Sequence, residues 1–273
     1  IIEHRLKGFS DDLETQVKER TVLLKKSIEE LRQTNIQLDQ FAHVASHDLQ
    51  EPLRKISIFS KRLQNMPTED LSEEVTSYIT KIDGAAGRMS QLIQDLLHFS
   101  RLLHFEKEFS KVNLNEIVKN VLSDFEILLQ EKNGVVQFEE LPVIQAIPLQ
   151  MNQLFYNLIN NALKFSRVEV PSMISITSHA LSPKEVEKYP TFNPLLSYVE
   201  IVFKDNGIGF DQQFAKKIFT IFQRLHGREI YVGTGIGLAL CQKIVDNHQG
   251  EIFTFAAEKE GASFHVILPV KQS

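Results

Sequence analysis

Apolar or small residues recur at alternating steps of four and three along the first quarter of the chain. The series is Val17, Thr21, Leu24, Ile28, Leu31, Asn35, Leu38, Ala42, Ala45, Leu49, Pro52, Ile56, Phe59, Leu63 and Met66. A seven-residue repeat of this length is typical of the seam of a coiled coil or helical bundle. Beyond residues 66–68 a second series runs from Leu71 to Leu103. The sequence therefore predicts two long antiparallel helices joined by a short turn.

A single pair of such helices cannot bury its whole apolar stripe. In a lone hairpin half of each stripe stays in water, and the simplest way to cover it is to pair two copies into a four-helix bundle. The sequence therefore predicts a homodimer. Asn35 lies at a seam position, where a polar side chain would fix the register of the paired helices.

The helical pattern is already present near residue 1, which is Ile rather than Met, and no signal peptide is recognisable. We therefore interpret residues 1–38 as a coiled coil that continues from the rest of a longer parent chain. Residues 39–106 form the predicted helical hairpin. Residues 107–273 form a second predicted domain.

Beyond Leu103 the periodicity changes. Strand-like patterns occupy Val135–Phe138, Ile174–Ser178, Tyr198–Phe203, Ile252–Phe255 and Ser263–Leu268. Helical patterns occupy Asn115–Gln130, Leu149–Phe165 and Ile236–Asn247. Because these segments do not form repeated βαβ units, we expect a two-layer α+β sandwich rather than a doubly wound parallel sheet. The proline-containing segment Leu181–Leu196 is predicted to be a long hairpin connection.

The composition limits the environment and the partners of this chain. Its 273 residues are 42% hydrophobic and 24% charged with a net charge of −5, which excludes disorder and offers no basic surface for nucleic acid. No apolar run approaches the ~18 residues of a membrane span, so we expect no membrane contact. The single cysteine, Cys241, cannot form an internal disulfide, and the cytoplasm is the expected location.

His47 falls at position f of the heptad, which points furthest from the seam, so its imidazole is predicted to face solvent on a rigid helix. Asp48 follows it. A carboxylate beside an imidazole can hold one ring nitrogen as N–H, which leaves the other nitrogen uncharged and nucleophilic. Two other interpretations are open at this point: an ordinary solvated side chain, or half of a zinc site with His43, although no H-E-x-x-H motif or cysteine pair accompanies them.

Pro52 lies inside the same helical pattern, five residues after His47. Proline removes a helical hydrogen bond and kinks the helix. With the turn centred near Thr68, Pro52 lies opposite Gly84 and close to Gly87, two further weak points of a helix. We therefore predict a hinge here, through which a change in the coiled coil would move the second domain.

Three segments of the second domain have the composition of a nucleotide site. Asn157, Asn161 and Lys164 are spaced by four and three, which places two amides and a lysine on one helical face. Amide oxygens suit Mg²⁺, which also binds phosphate oxygens, and a lysine can meet phosphate or ribose. The sequence Asp-Asn-Gly-Ile-Gly at 205–209 places an acceptor carboxylate at a strand end, before glycines that let a ring approach the backbone. The glycine-rich sequence at 233–238 opens a helix, whose free N–H groups favour anions.

Together these motifs resemble those of the sensor histidine kinases. Asn161, residues 205–209, the phenylalanines of Ile218–Arg224 and residues 233–238 are similar to the N, first glycine, F and second glycine boxes of that family. Phe41–Leu53 is similar to its phospho-acceptor box, in the H-D-L-Q-E-P-L form of phytochrome-like kinases. The resemblance implies a dimerisation and histidine-phosphotransfer hairpin followed by a Bergerat-type (GHKL) ATP-binding domain, with residues 219–232 as the ATP lid.

The resemblance also implies roles for individual residues. It implies that His47 attacks the γ-phosphate of ATP and that Asp48 acts as a base or orients the imidazole. It implies Asn161 as the Mg²⁺ ligand, Asn157 as a phosphate or metal contact and Asp205 as the acceptor for adenine. The other nucleotide contacts or lid hinges that it implies are Lys164, Phe165, Gly207, Gly209, Arg224, Gly233, Thr234, Gly235, Gly237 and Leu238.

The implied function is ATP-dependent autophosphorylation of His47 and transfer of the phosphoryl group to an aspartate of a response regulator. Glu51 stands four residues after the histidine, where relatives with phosphatase activity have Thr, Asn or Gln, so phosphatase activity is left open. Two alternatives remain. The first is a clamp ATPase related to gyrase or the heat-shock chaperones, which would not need a histidine on a helix with a heptad repeat. The second is a non-enzymatic nucleotide-binding scaffold, which would not need the intact motifs of the ATP site.

Overall fold

The computed structural model describes residues 17, 20–21, 49–50, 53–63, 73–101, 108–225 and 234–272. The chain divides into two compact units, Ile1–Ala86 and Gly87–Ser273. Most of the predicted coiled coil, residues 1–38, lies outside the described residues. Within the described residues, no helix combines the length and the apolar character needed to span a bilayer.

The first unit contains helix α1, residues 53–63, and the first part of helix α2, Glu73–Arg101. The Ser57 hydroxyl donates a hydrogen bond of 2.6 Å to Oδ1 of Asp83, so the two helices are neighbours, as the hairpin prediction requires. The midpoint between these two residues is Asp70, two residues later than the predicted centre at Thr68. Pro52, on which the predicted hinge depends, lies outside the described residues.

The hairpin buries a different face of each helix from the heptad seam. The buried residues of this unit include Leu53 and Ser60 on α1 and Ile79 on α2, each one position after a seam residue. The seam residues Phe59 and Ile82 are exposed, at 58% and 50%. One side of the apolar stripe therefore packs within the hairpin, and the other side stays in water in the single chain.

The described strands of the second unit form two β-sheets. Strand β1 (Ser110–Asn113) pairs antiparallel with β3 (Val143–Ala146), and the sequence patterns did not predict this small sheet. The larger sheet has the strand order β2-β4-β5-β7-β6. Its strands are β2 (Val135–Phe138), β4 (Met173–Ala180), β5 (Tyr198–Asp205), β6 (Glu251–Ala257) and β7 (Gly261–Pro269). Among these strands only the β2–β4 pair is parallel, which confirms the prediction against a doubly wound parallel sheet.

The helices of the second unit are α3 (Leu114–Asp124), α4 (Glu126–Glu131), α5 (Pro148–Lys164), α6 (Pro183–Val186) and α7 (Gly237–Asn247). The single helix predicted for residues 115–130 is wrong, because the chain breaks at Phe125 with φ −102° and ψ 6°. Phe125 is buried, with its ring centroid 4.8 Å from that of Tyr156. The ring is therefore buried at the residue where α3 ends and α4 begins.

One continuous core joins the helices to one face of the larger sheet. It contains Phe155 of α5, Ile244 of α7 and Phe203 of β5, all buried. The rings of Phe155 and Phe203 meet edge to face with centroids 4.9 Å apart. The predicted two-layer α+β sandwich is therefore confirmed. The connection between the antiparallel strands β4 and β5 contains α6, whose first turn is closed by the reciprocal Ser182–Glu185 capping box.

Two residues after the end of α7, Gln249 has a backbone conformation that is unfavourable for a residue with a side chain. Gln249 has φ of +57°. The N–H of the following residue, Gly250, donates a hydrogen bond of 3.0 Å to the Val245 carbonyl. In this type of helix C-terminus, glycine is the favoured residue at the left-handed position that Gln249 occupies. A Gln249→Gly variant is expected to raise the free energy of unfolding by about 0.5–1 kcal/mol, because the left-handed strain of an L-residue exceeds the entropic cost of glycine. Denaturant unfolding measures this. Gln249→Ala, which keeps the strain, should bring no gain, and an equal gain from both variants would contradict the explanation.

Candidate functional site

A cavity of about 610 Å³ lies in the second unit, where the C-terminal half of α5, the end of β5 and the start of α7 meet. The structure brings most of the predicted nucleotide residues to its walls. Those that line it are Asn157, Asn161, Lys164, Phe165, Asp205, Gly209, Arg224, Thr234, Gly235, Gly237 and Leu238. Segments more than 70 residues apart in sequence therefore converge on one space.

Helix α5 contributes the row of polar side chains that its spacing predicted. Asn157, Asn161 and Lys164 all line the cavity. Gln153, one turn before Asn157, also lines it and donates through Nε2 to Oδ1 of Asn157 over 3.5 Å. The opposite face of the helix is buried in the core, for example at Ile159. The amphipathic pattern of α5 therefore explains why its amides point away from the core.

Asp205 is mostly buried at the end of β5. Its Oδ1 atom accepts hydrogen bonds from the backbone N–H groups of Gly207, at 2.8 Å, and Ala262, at 3.3 Å. Burial raises the pKa of the Asp205 carboxyl, and the two N–H groups oppose that rise. Within the described part of the chain no hydrogen bond reaches Oδ2. Asp205 therefore offers one acceptor oxygen to the cavity in a partly desolvated setting.

Two cations share another part of the cavity. Burial lowers the pKa of Lys164, and the nearby charge of Arg224 lowers it further. The Lys164 ammonium also lies 4.7 Å from the centroid of the Phe165 ring, a favourable cation–π distance. Two like charges in a half-buried space repel each other until an anion binds between them. This arrangement favours a polyanionic ligand.

The glycines at 207 and 209 were expected to let a ligand ring approach the backbone, and the structure shows a different reason for them. Gly207 does not line the cavity, and a Cβ atom there would lie 2.5 Å from the Phe165 carbonyl oxygen. At Gly209, whose φ is +61°, a Cβ atom would lie 1.9 Å from the Ala257 carbonyl oxygen. The close approach of the protein's own backbone, rather than of a ligand ring, therefore accounts for both glycines.

One hydrogen bond joins the described residues on either side of positions 226–233. The Phe222 N–H donates 3.0 Å to the Gly235 carbonyl, and both residues have positive φ, +65° and +78°. Gly237 begins α7 beside α5, since a Cβ atom there would lie 3.6 Å from Oδ1 of Asn157. The described ends of the implied lid are therefore fixed next to the polar row of α5.

Several predicted residues lie outside the described part of the chain. They are the phospho-acceptor candidate His47, its neighbour Asp48, the zinc alternative His43, the phosphatase position Glu51 and the lid glycine Gly233. Their roles stay predictions. Within the described residues no cluster of three His, Cys, Asp or Glu side chains could hold a metal ion. A cation in the cavity would therefore need the amide oxygens of α5 together with oxygens from an anionic ligand.

Sequence reasoning missed the apolar wall of the cavity. It is formed by Ile208, Phe210, Ile218, Leu225, Ile236, Leu240, Ala262 and Phe264. Phe264 and Ala262 follow the inward alternation of β7, which could have indicated burial but not a ligand surface. An apolar wall beside an acceptor carboxylate suits a flat heteroaromatic ring.

A mixed sheet under helices, with an amide row, a strand-end carboxylate and a glycine-rich helix start around one cavity, defines a nucleotide-binding domain of the GHKL class. Residues 146–272 match the family model described as histidine kinase-, DNA gyrase B-, and HSP90-like ATPase. Residues 37–104 match the His Kinase A (phospho-acceptor) domain. These are the two domains of a histidine kinase core, and the chain belongs to the sensor histidine kinases.

Individual relatives agree with this assignment. The chain is 33% identical over 240 residues to the phytochrome-like protein Cph1 of Synechocystis, an alignment that covers 88% of this chain and 30% of Cph1. The structure of full-length ShkA in complex with AMPPNP is similar with a TM-score of 0.62 and 22% identity, over 86% of this chain and 46% of that one. The complex of histidine kinase ThkA with response regulator protein TrrA has a TM-score of 0.55 and 23% identity, over 85% and 61%. The chain thus spans under a third of the length of Cph1.

Proposed function

We propose that this chain is the kinase core of a two-component sensor, which binds ATP in the cavity of the second unit and phosphorylates its own His47. The observation that carries the proposal is the convergence of the α5 amide row, Asp205 and the Lys164–Arg224 pair on one cavity. The presence of a phospho-acceptor domain in the same chain favours a kinase over a clamp ATPase.

In this proposal the cavity distinguishes the two ends of ATP. Oδ2 of Asp205 accepts a hydrogen bond from the exocyclic amine of adenine, and the apolar wall holds the ring. Lys164 and Arg224 attract the phosphates, which remove their mutual repulsion. The amide oxygens of Asn157 and Asn161 fit a magnesium ion that shares phosphate oxygens, and the ion would supply neutralisation of the charge on the phosphates.

The phosphoryl step needs a neutral imidazole. An unprotonated nitrogen of His47 attacks the γ-phosphorus, the bond to the bridging oxygen breaks, and ADP leaves. Asp48 stabilises the proton on the other ring nitrogen. The phosphoryl group then passes from the imidazole to an aspartate of a response-regulator receiver. The crystal structure of histidine kinase ThkA in complex with response regulator protein TrrA supports a response regulator as the partner.

The exposed side of the hairpin supports a homodimer. Ile56, Phe59 and Leu63 on α1 and Ile82 on α2 are between 40% and 58% exposed. Burying one apolar residue of this size contributes roughly 1.5–3 kcal/mol, so a second copy that covers the stripe would gain considerable stability. We therefore propose a four-helix bundle of two hairpins. A sensory domain in the parent chain and a cytoplasmic location, where ATP is available, belong to the same proposal.

The test is incubation with γ-labelled ATP and Mg²⁺, comparing the native chain with His47→Gln and Asn161→Ala. We expect an acid-labile, alkali-stable label on the native chain. His47→Gln should remove it, because the nucleophile is gone, while nucleotide binding stays. Asn161→Ala should lower labelling by at least about 10–100-fold through weaker metal and phosphate binding.

His43→Gln is the matched control, since it removes an imidazole four residues before His47. It should leave labelling unchanged. Equal loss of label in both histidine variants would contradict His47 as the acceptor. Binding of nucleotide with no label on the native chain would favour the non-enzymatic scaffold.

A further inference from the structure

His248 is completely buried at the C-terminal end of α7, about 16 Å along the helix from Gly237 at the cavity. Its two ring nitrogens have different partners. Nε2 accepts a hydrogen bond of 3.1 Å from the backbone N–H of Ile147, and Nδ1 lies 2.7 Å from the Ile244 carbonyl oxygen. Because Nε2 accepts, Nδ1 carries the proton and donates to Ile244. The imidazole is therefore neutral and in a single tautomer.

Ile147 is the N-cap residue, immediately before α5. Its carbonyl accepts the first helical hydrogen bond, from the Met151 N–H at 3.1 Å, and its N–H is donated to His248. No side chain caps this end of α5. The start of α5 is thus fixed in place by a ring that belongs to the end of α7.

The two helices run antiparallel, side by side, from this bond to the cavity. Ten residues after Ile147 along α5 lies Asn157, and eleven residues before His248 along α7 lies Gly237. These two meet, since a Cβ atom at Gly237 would be 3.6 Å from Oδ1 of Asn157. One end of the helix pair is therefore held by His248, and the other end presents the amide row and the glycine-rich helix start to the cavity.

Other contacts keep the His248 ring from turning. The ring of Phe109 meets it edge to face, with centroids 5.3 Å apart and an interplanar angle of 89°. The His248 carbonyl accepts a hydrogen bond of 3.4 Å from Nε2 of Gln272, which also bonds the Gln145 carbonyl beside the start of α5. Phe109 thus contacts the imidazole itself, while Gln272 joins the backbone of His248 to the strand before α5.

We infer that His248 is a positioning residue for nucleotide binding. It sets the longitudinal register of α7 against α5, and so aligns the residues of both helices that line the cavity. The inference rests on the proposed binding of ATP there. A helix pair that slides by a fraction of a turn would separate Asn157 and Asn161 from the start of α7, although the core would remain buried. The loss of the bond between Nε2 and Ile147 therefore affects binding more than folding.

Two variants separate the two hydrogen bonds of the ring. In His248→Asn the amide nitrogen occupies the place of Nδ1 and can still donate to Ile244, but no atom reaches Ile147. In His248→Gln the amide oxygen extends to the place of Nε2 and can still accept from Ile147, while the bond to Ile244 is lost. Each variant loses one hydrogen bond at the same buried position, so their stabilities should fall by similar amounts.

The measurements are the dissociation constant for ATP, KM and kcat of autophosphorylation, and hydrogen exchange of the Ile147 amide, all on the whole chain. We expect His248→Asn to raise the dissociation constant and KM about tenfold, with kcat within about twofold, and to speed exchange at Ile147. His248→Gln should stay within about twofold of the native constants and keep Ile147 protected.

Equal changes of the dissociation constant in the two variants would overturn the inference, because they would mean that only the integrity of the core matters. A native chain that binds no ATP would instead overturn the proposed function. The two failures are therefore distinguishable in one set of titrations.

Discussion

A Gly209→Ala variant is expected to lose at least about 3 kcal/mol of unfolding free energy in the second unit, and to be largely unfolded if the native margin is small. The added Cβ atom would lie 1.9 Å from the Ala257 carbonyl oxygen and 2.8 Å from that of Gly261. Both are backbone atoms, and Ala257 and Gly261 are paired across the β6–β7 hairpin, so neither can move independently. The φ of +61° adds left-handed strain.

Gly237→Ala is the matched control, because the same methyl group is added to another predicted site glycine. Its Cβ atom would lie 3.6 Å from Oδ1 and 3.8 Å from Cγ of Asn157, both ordinary contact distances. Alanine is favoured over glycine in a helix by up to about 1 kcal/mol, so stability should hold or rise. The methyl group points to the amide row, and nucleotide affinity should fall. Denaturant unfolding and an ATP titration on both variants check this; a folded Gly209→Ala chain within about 1 kcal/mol of the native one would contradict the argument.

These two glycines show how far a motif can be read from sequence. Both positions were predicted as site residues, and both line the cavity. Their physical reasons differ, because a Cβ atom at Gly209 would collide with the Ala257 carbonyl oxygen, whereas one at Gly237 would make an ordinary contact with Asn157. Sequence spacing identifies such residues but contains no information on which backbone segment approaches them.

The periodic elements were predictable for a simple reason. Strand β2 has the bounds that its pattern predicted, Val135–Phe138, and α5 was expected at Leu149–Phe165 and observed at Pro148–Lys164. Strand β1 was missed because Ser-Lys-Val-Asn contains a single apolar residue and shows no alternation, and its partner β3 was missed with it. The break at Phe125 was missed because it depends on the ring of Tyr156, which lies on α5.

The polar residues of the site were predictable because amide side chains that recur on one face of a helix, such as Asn157 and Asn161, are uncommon. The apolar wall was not, since residues such as Leu240 and Phe264 have the same pattern as the core. His248 gave no signal at all. Its partner Ile147 is 101 residues away, and only the antiparallel packing of α5 and α7 brings them together.

An Asp205→Asn variant is expected to weaken ATP binding by about 10–100-fold and, at neutral pH, to stabilise the chain without nucleotide. The first effect follows because a hydrogen bond to a charged acceptor contributes about 1.5–3 kcal/mol, and an amide that accepts from Gly207 and Ala262 presents an NH₂ group to the adenine amine. The second follows from the pKa of the Asp205 carboxyl, which burial raises in the folded chain.

The raised pKa of Asp205 determines how the stability of the native chain and of Asp205→Asn should change with pH. A carboxyl whose folded pKa is raised contributes its stability below the unfolded pKa, and that stability is lost as pH rises through the folded pKa. The stability gained by Asp205→Asn should therefore be present at neutral pH and vanish in acid. ATP affinity of the native chain should fall as pH drops through the raised pKa, because the protonated carboxyl no longer accepts at Oδ2, whereas affinity of the variant should change less.

Asp211 supplies the control, since its Oδ1 also accepts an N–H two residues on, from Gln213 at 2.9 Å, but in an exposed turn. Asp211→Asn should change neither ATP affinity nor its pH profile. The measurements are ATP titrations and denaturant unfolding of all three chains across a pH series. Unchanged affinity in Asp205→Asn, or a loss of its stability at neutral pH, would mean that the buried carboxylate serves the fold rather than the ligand. The opposite signs of the two effects therefore separate a residue retained for binding from one retained for structure.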